Sequence, residues 1–195
     1  MNTYTDKKNI ILDLDETLIF GLSPKDDYYD IKKDEKKLFE KFKYKNMDGY
    51  YYIFYRPGLH KFLDYLFANF NVSVWTAASK DYALFIIDKI ILQNDEVKNN
   101  GNERKLDYIF FSYHCDLSKK LKNGIKDLSI LWDVYKLPNY NKNNTLIVDD
   151  NPEVHETGFC IPIKEFVAIK DDSENDKELS KIKKKLEKFK NRDNF

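Results

Sequence analysis

The sequence predicts an α/β fold in three layers, with a central parallel sheet flanked by helices. Short apolar runs recur at residues 10–12, 72–75, 106–111 and 145–148, the pattern of strands buried on both faces. Segments with apolar residues at helical spacing lie between them, as at Leu59, Phe62, Leu63 and Leu66, and strands alternating with helices build parallel sheets. Three of the runs end in polar side chains: Asp13 and Asp15, then Thr76, then Asp149 and Asp150. In a parallel sheet all carboxyl ends open on one edge, where open α/β sheets bind ligands.

The elements follow in order. Residues 9–13 form the first strand, with Thr17 in the loop just after it. Residues 21–37 are polar and charged and read as an irregular connection. Residues 38–55 read as a β-hairpin inserted after the first strand: residues 42–45 alternate apolar and polar, Asp48-Gly49 signals a tight turn, and the aromatic run 50–55 returns. Arg56-Pro57-Gly58 punctuates the chain before a helix through Asn69. After the second strand, Ser79 is placed to cap a helix reaching about Leu92. Residues 93–125 read as a loop-rich insert around the third strand, because residues 93–105 are rich in Asn and charge and residues 112–124 are polar and irregular. Lys126 leads into a short helix, residues 145–148 form the fourth strand, and residues 166–169 a last short one. Residues 176–190 form a lysine-rich helix with Leu179, Ile182, Leu186 and Phe189 inward.

Length and composition narrow the class. The 195 residues are expected to form a single domain with a real core. Lys plus Arg and Asp plus Glu are both 33, so the net charge is zero, which argues against a dedicated nucleic-acid binder. Cys115 and Cys160 lie far apart and outside any metal-type pair, which is the usage of a reducing compartment. The amino terminus has no apolar signal core, and no run approaches the ~18 apolar residues of a membrane span. The expectation is an intracellular monomer, cytoplasmic or nuclear, without membrane or direct nucleic-acid partners.

The chemistry comes from the strand ends. Asp13 and Asp15, at i and i+2, share a face and project together beyond the first strand. Two neighbouring carboxylates repel, so a cation is implied beside them, and oxygen ligands select a hard one such as Mg²⁺. Asp149 and Asp150 converge on the same edge, as do Thr76 and Lys126. Lysine, Thr hydroxyls and magnesium together form a phosphoryl-binding set, since all stabilise charge on non-bridging oxygens.

On these residues the sequence resembles the haloacid dehalogenase (HAD) superfamily of Rossmann-like phosphatases. More narrowly it resembles the Fcp/Scp, or NLI-interacting-factor-like, group, which dephosphorylates the carboxy-terminal domain (CTD) of RNA polymerase II and other phosphoproteins. The Asp-x-Asp-x-Thr motif is Asp13, Asp15 and Thr17; the strand-end hydroxyl is Thr76; the motif lysine is Lys126; the acidic pair is Asp149 and Asp150, in Asp149-Asp150-Asn151-Pro152 where the group usually has Asp-Asn-Ser-Pro, so Asp150 is a carboxylate where an amide is usual. The stretch from Arg56 matches the arginine-proline start of the group's next helix, and the resemblance covers roughly residues 9–190. It implies a Mg²⁺-dependent protein serine/threonine phosphatase acting on a phosphoprotein or phosphopeptide, with no large cap over the site. Asp13 is then the nucleophile and a metal ligand. Asp15 is the acid–base group and lends its backbone carbonyl to the metal. Thr76 and the Thr17 region hold the phosphate, and Lys126 neutralises charge. Asp150 is a metal ligand, and Asp149 is either a ligand or the partner that orients Lys126. The alternatives are a phosphatase for small molecules or nucleic-acid ends, and a non-catalytic binding module of the same fold.

Overall fold

The computed structural model describes residues 7–25, 35–93, 103–122 and 124–191. Its centre is a five-stranded sheet in the order β6-β5-β1-β7-β8, parallel at every pairing. The strands are β1 (Asn9–Leu12), β5 (Asn71–Trp75), β6 (Leu106–Phe110), β7 (Thr145–Asp149) and β8 (Cys160–Pro162). Alternation along the strands divides the core in two. Ile10, Leu12, Val72, Val74 and Val148 pack with α2 (Leu59–Asn69), α3 (Lys80–Ile86) and the C-terminal helix α7 (Glu178–Lys190). Ile11, Trp75 and Ile147 pack on the other face with α4 (Ser112–Lys122), α5 (Ser129–Asp133) and α6 (Pro152–His155). Both faces are therefore covered, which is why these strands read as continuous apolar runs. Among the described residues no helix is long and apolar enough to cross a membrane.

A second, antiparallel sheet in the order β2-β4-β3 stands between β1 and α2. It comprises β2 (Ile19–Leu22), β3 (Tyr44–Met47) and β4 (Tyr51–Tyr55). Its small core joins Phe20, Phe54, Leu38, Phe42, Phe166 and Ala168.

Four expectations are corrected here. The insert is more than a hairpin over 38–55: the turn at Asp48-Gly49 holds, but residues 38–41 belong to helix α1 (Glu35–Lys41), because Leu38 and Phe42, four apart, share the face buried on the small core. The connection over 21–37 begins as a strand instead, since β2 pairs with β4 from Ile19↔Tyr55 to Leu22↔Tyr52; residues 26–34 lie outside the described residues. The insert at 93–125 is not loop-rich over its second half. Residues 112–122 form a helix that buries only Cys115 and Ser118, too narrow an apolar stripe to stand out in the sequence, and residues 94–102 lie outside the described residues. The final strand is Cys160–Pro162, not residues 166–169, whose apolar side chains instead fill the satellite core from an irregular segment.

Candidate active site

Register brings the polar strand ends together. Leu12 pairs with Val74 on one side and Val148 on the other, so Asp13, Thr76 and Asp149 leave the sheet at one edge. Asp13, Asp15, Thr76, Lys126, Asp149 and Asp150 line a single cleft of about 170 Å³ with Ala77, Ala78, Ile125 and Asn151.

Lys126 is the centre of charge. Its Nζ donates to Asp13 Oδ1 at 2.5 Å and to Asp149 Oδ2 at 2.7 Å, and it is 3% exposed. Burial alone would discharge a lysine, but the two carboxylates overcome it and hold the ammonium above its usual range. Lys126 sits at φ 52°, a left-handed conformation rare for a side chain of this size. Ser118 holds it there: buried in α4, its Oγ donates to the Gly124 carbonyl at 2.7 Å and accepts the Asp127 amide at 2.9 Å.

The carboxylates differ in environment. Asp13 is pushed up to about 7, chiefly by burial, with Lys126 opposing and Asp149 adding to the rise. Asp149 has both oxygens engaged, one on Lys126 and the other on the Asn151 amide at 2.9 Å. Asp150 is half-buried and accepts the Thr17 hydroxyl at 2.8 Å. The sequence reading puts the Thr17 region beside the phosphate; in the structure the Thr17 side chain is wholly buried and turned onto Asp150. Thr76 Oγ1 accepts the Ala78 amide at 3.0 Å, which leaves its hydroxyl hydrogen to donate. Asp15 is raised by burial, against a hydrogen bond from the Tyr82 hydroxyl at 2.6 Å.

The donor set fits a divalent cation. Oxygens of Asp13, Asp149 and Asp150 all lie within 4.8 Å of one another, against one ammonium, which leaves unbalanced negative charge for a hard cation. Asp15 is outside this cluster by its carboxylate. Protons and metal therefore compete for Asp13. Affinity for Mg²⁺ is expected to fall as pH drops below about 7, by roughly tenfold per pH unit for the one proton displaced. Titration calorimetry at several pH values checks this; affinity that stays flat or rises on acidification would contradict it.

Sequence reasoning missed three supporting residues. Tyr82 reads there only as an apolar helix position, and Ser118 as part of an irregular stretch. Arg56 reads as punctuation before α2 and as a match to the group's arginine-proline start, with no contact assigned to it; its fully buried guanidinium ties together Asp176 and the carbonyls of Thr17 and Lys164.

Residues 8–195 match the family described as NLI interacting factor-like phosphatase. The chain is 44% identical over 181 residues to the putative CTD phosphatase-like protein 355R of Invertebrate iridescent virus 6, covering 90% of this chain and 95% of the relative. It is 42% identical over 191 residues to the 355R protein of Invertebrate iridescent virus 3, covering 94% and 97%. Among solved structures it is similar to a variant of fission yeast Fcp1, an RNA polymerase II CTD phosphatase bound to beryllium fluoride, with a TM-score of 0.53 and 20% identity. That match covers 93% of this chain and 50% of the Fcp1 chain, so the likeness is one of fold over half of the larger protein.

Proposed function

Because this chain belongs to the NLI interacting factor-like phosphatase family, we propose that it is a Mg²⁺-dependent phosphatase that cleaves phosphoserine or phosphothreonine in proteins, in the manner of a CTD phosphatase, through an aspartyl-phosphate intermediate. The observation that carries the proposal is the single cleft in which Asp13 and Asp15 stand with Lys126, Thr76 and the Asp149–Asp150 pair.

In this reading Asp13 and Asp150 hold the cation, with the Asp15 backbone carbonyl. Asp149, occupied on both oxygens, orients Lys126. The cation, when bound, withdraws charge from the phosphoryl oxygens. A carboxylate oxygen of Asp13 attacks phosphorus and the bond to the serine oxygen breaks. Asp15 gives its proton to that departing oxygen. Water then attacks the acyl phosphate and passes a proton back to Asp15, releasing inorganic phosphate and restoring Asp13. Lys126 and the Thr76 hydroxyl stabilise the charge that builds on the phosphoryl oxygens. The raised Asp15 suits this work, because burial keeps it in the acid form to higher pH than a solvated carboxyl. Among the described residues the insert between β1 and α2 is a small sheet with one short helix and no helical cap, which supports a peptide as the substrate.

Phosphate release is expected from phosphoserine peptides with Mg²⁺ and to stop when the metal is chelated. Sugar phosphates and 3′-phosphorylated oligonucleotides should be poor substrates beside it. Preference for either of those would redirect the substrate assignment, and no release from any of them with Mg²⁺ present would favour a binding module.

A further inference from the structure

One contact at the cleft lies outside the four motifs. Tyr82, on α3, donates its hydroxyl to Asp15 Oδ1 at 2.6 Å. The side chain is built in from two directions. The Tyr51 ring of β4 meets it edge-on, with centroids 5.0 Å apart. On another side β2 passes so close that a Cβ on Gly21 would lie 2.3 Å from the Tyr82 hydroxyl oxygen and 3.7 Å from Asp15 Oδ1. Gly21 is not among the residues at positive φ, so its backbone conformation does not demand glycine. The space needed by the Tyr82 hydroxyl does, and glycine inside a strand commonly marks such a close approach. A phenol hydroxyl facing a carboxylate oxygen supplies the hydrogen, so Tyr82 is the donor.

We propose that Tyr82 is the positioning residue for Asp15 and that Gly21 is the gap that admits it, so that the antiparallel insert takes part in the chemistry by aiming the acid. The proposal rests on the acid–base role given to Asp15 above. With Oδ1 fixed as the acceptor of the Tyr82 hydrogen bond, the transferable proton sits on Oδ2. As the ester P–O bond breaks, the Asp15 O–H bond breaks with it, and the proton joins the departing oxygen. The resulting carboxylate keeps the Tyr82 hydrogen bond, and Tyr82 keeps its own proton. When water attacks the acyl phosphate, its proton returns to Oδ2.

The test uses the dependence of kcat/KM on the leaving group, across a series from nitrophenyl phosphate to phenyl phosphate. This parameter reports the steps through departure of the leaving group. Nitrophenolate leaves with little need of a proton, while poorer leaving groups need the acid. Tyr82→Phe keeps the ring packed on Tyr51 and removes the hydroxyl. It is expected to lose about tenfold or more on phenyl phosphate, part of the range typical of acid–base catalysis, but only about threefold or less on nitrophenyl phosphate. Gly21→Ala should give the same pattern by displacing the hydroxyl. Added to Tyr82→Phe it should have little further effect, because the ring carbon behind the hydroxyl is at an ordinary 3.4 Å from the new Cβ. Equal losses across the series, or losses that multiply in the double variant, would make both residues merely structural and overturn the proposal. If the unaltered protein released no phosphate from any member of the series, the phosphatase reading itself would fall, and this proposal with it.

Discussion

Asp13→Asn is expected to lower phosphate release by at least about 10⁴-fold while leaving the fold and its thermal midpoint near those of the unaltered protein. An amide cannot form the acyl phosphate, and the other described carboxylates of the cleft are engaged: Asp15 with the Tyr82 hydroxyl, Asp149 on both oxygens, and Asp150 with the Thr17 hydroxyl. The small cost in stability follows from the site's own electrostatics. Asp13 is buried and pushed up to about 7, so near neutral pH it is already partly uncharged, and the amide has nearly the same shape. Lys126 keeps its bond to Asp149 at 2.7 Å.

The pH dependence of the metal-free protein sharpens this result. A carboxyl at 3.8 in the unfolded chain and about 7 in the fold means that the folded state binds more protons between those values. Stability from this group is therefore fully present below 3.8 and is lost as pH rises towards 7. Asp13→Asn should flatten that limb, and should also shrink the stabilisation that Mg²⁺ gives, because one ligand is gone. Phosphate release, with thermal unfolding followed across pH with and without Mg²⁺, covers all three expectations. Near-normal turnover would remove Asp13 as the nucleophile, and an unfolded variant would make its pair with Lys126 mainly structural.

The features legible in the sequence are those fixed by short-range pattern. β1, β5 and β7 stand out because burial on both faces forces continuous apolar runs, and the polar residues that end them carry the chemistry. Once the strands are parallel, Asp13, Thr76 and Asp149 have to meet at one edge. What escapes is set by distant packing. The helix at residues 112–122 has a polar sequence because it buries only Cys115 and Ser118, yet Ser118 fixes the loop that presents Lys126. Residues 166–169 have the composition of a strand, but Phe166 and Ala168 reach their burial in the satellite core from an irregular segment, tied by the Phe166 amide to the Glu16 carbonyl at 2.6 Å and not by a strand ladder. Tyr82 occupies an ordinary apolar position by helical spacing. Its hydroxyl reaches Asp15 across a gap left at Gly21 of β2, a strand not separable in the sequence from the polar stretch that follows it. For Asp149, spacing alone does not separate ligand from orienting partner: its oxygens accept from Lys126 and from the Asn151 amide, and it also stands in the three-carboxylate cluster.

Arg56 carries the largest expected effect on stability. Arg56 is 1% exposed, and its Nε and Nη2 bind the two oxygens of Asp176 at 3.0 and 2.8 Å in a bidentate pair. Nη1 donates to the Thr17 carbonyl at 2.8 Å and Nη2 to the Lys164 carbonyl at 2.7 Å, while the Phe166 ring lies 5.5 Å from the guanidinium carbon. One side chain thus joins the loop after β1, the irregular segment after β8 and the start of α7. Its donors are committed to these partners, and it does not line the cleft, so it serves the site by holding the loop that carries Asp15 and Thr17. Arg56→Met removes the charge but keeps much of the stem. It leaves Asp176 and two carbonyls without their donor, at a cost of about 3–5 kcal/mol. In a chain of this size that corresponds to a midpoint lower by roughly 10 °C. Arg56→Lys should recover less than half of the loss, since a single ammonium cannot span two carboxylate oxygens and two carbonyls on separate segments. A double-mutant cycle with Asp176→Asn isolates the ion pair: if the pair is what joins these segments, the double variant should be destabilised by clearly less than the sum of the single ones. Additive losses, or an Arg56→Lys protein as stable as the unaltered one, would show that the segments are held by their apolar contacts around Phe166 and that Arg56 merely fills the space between them.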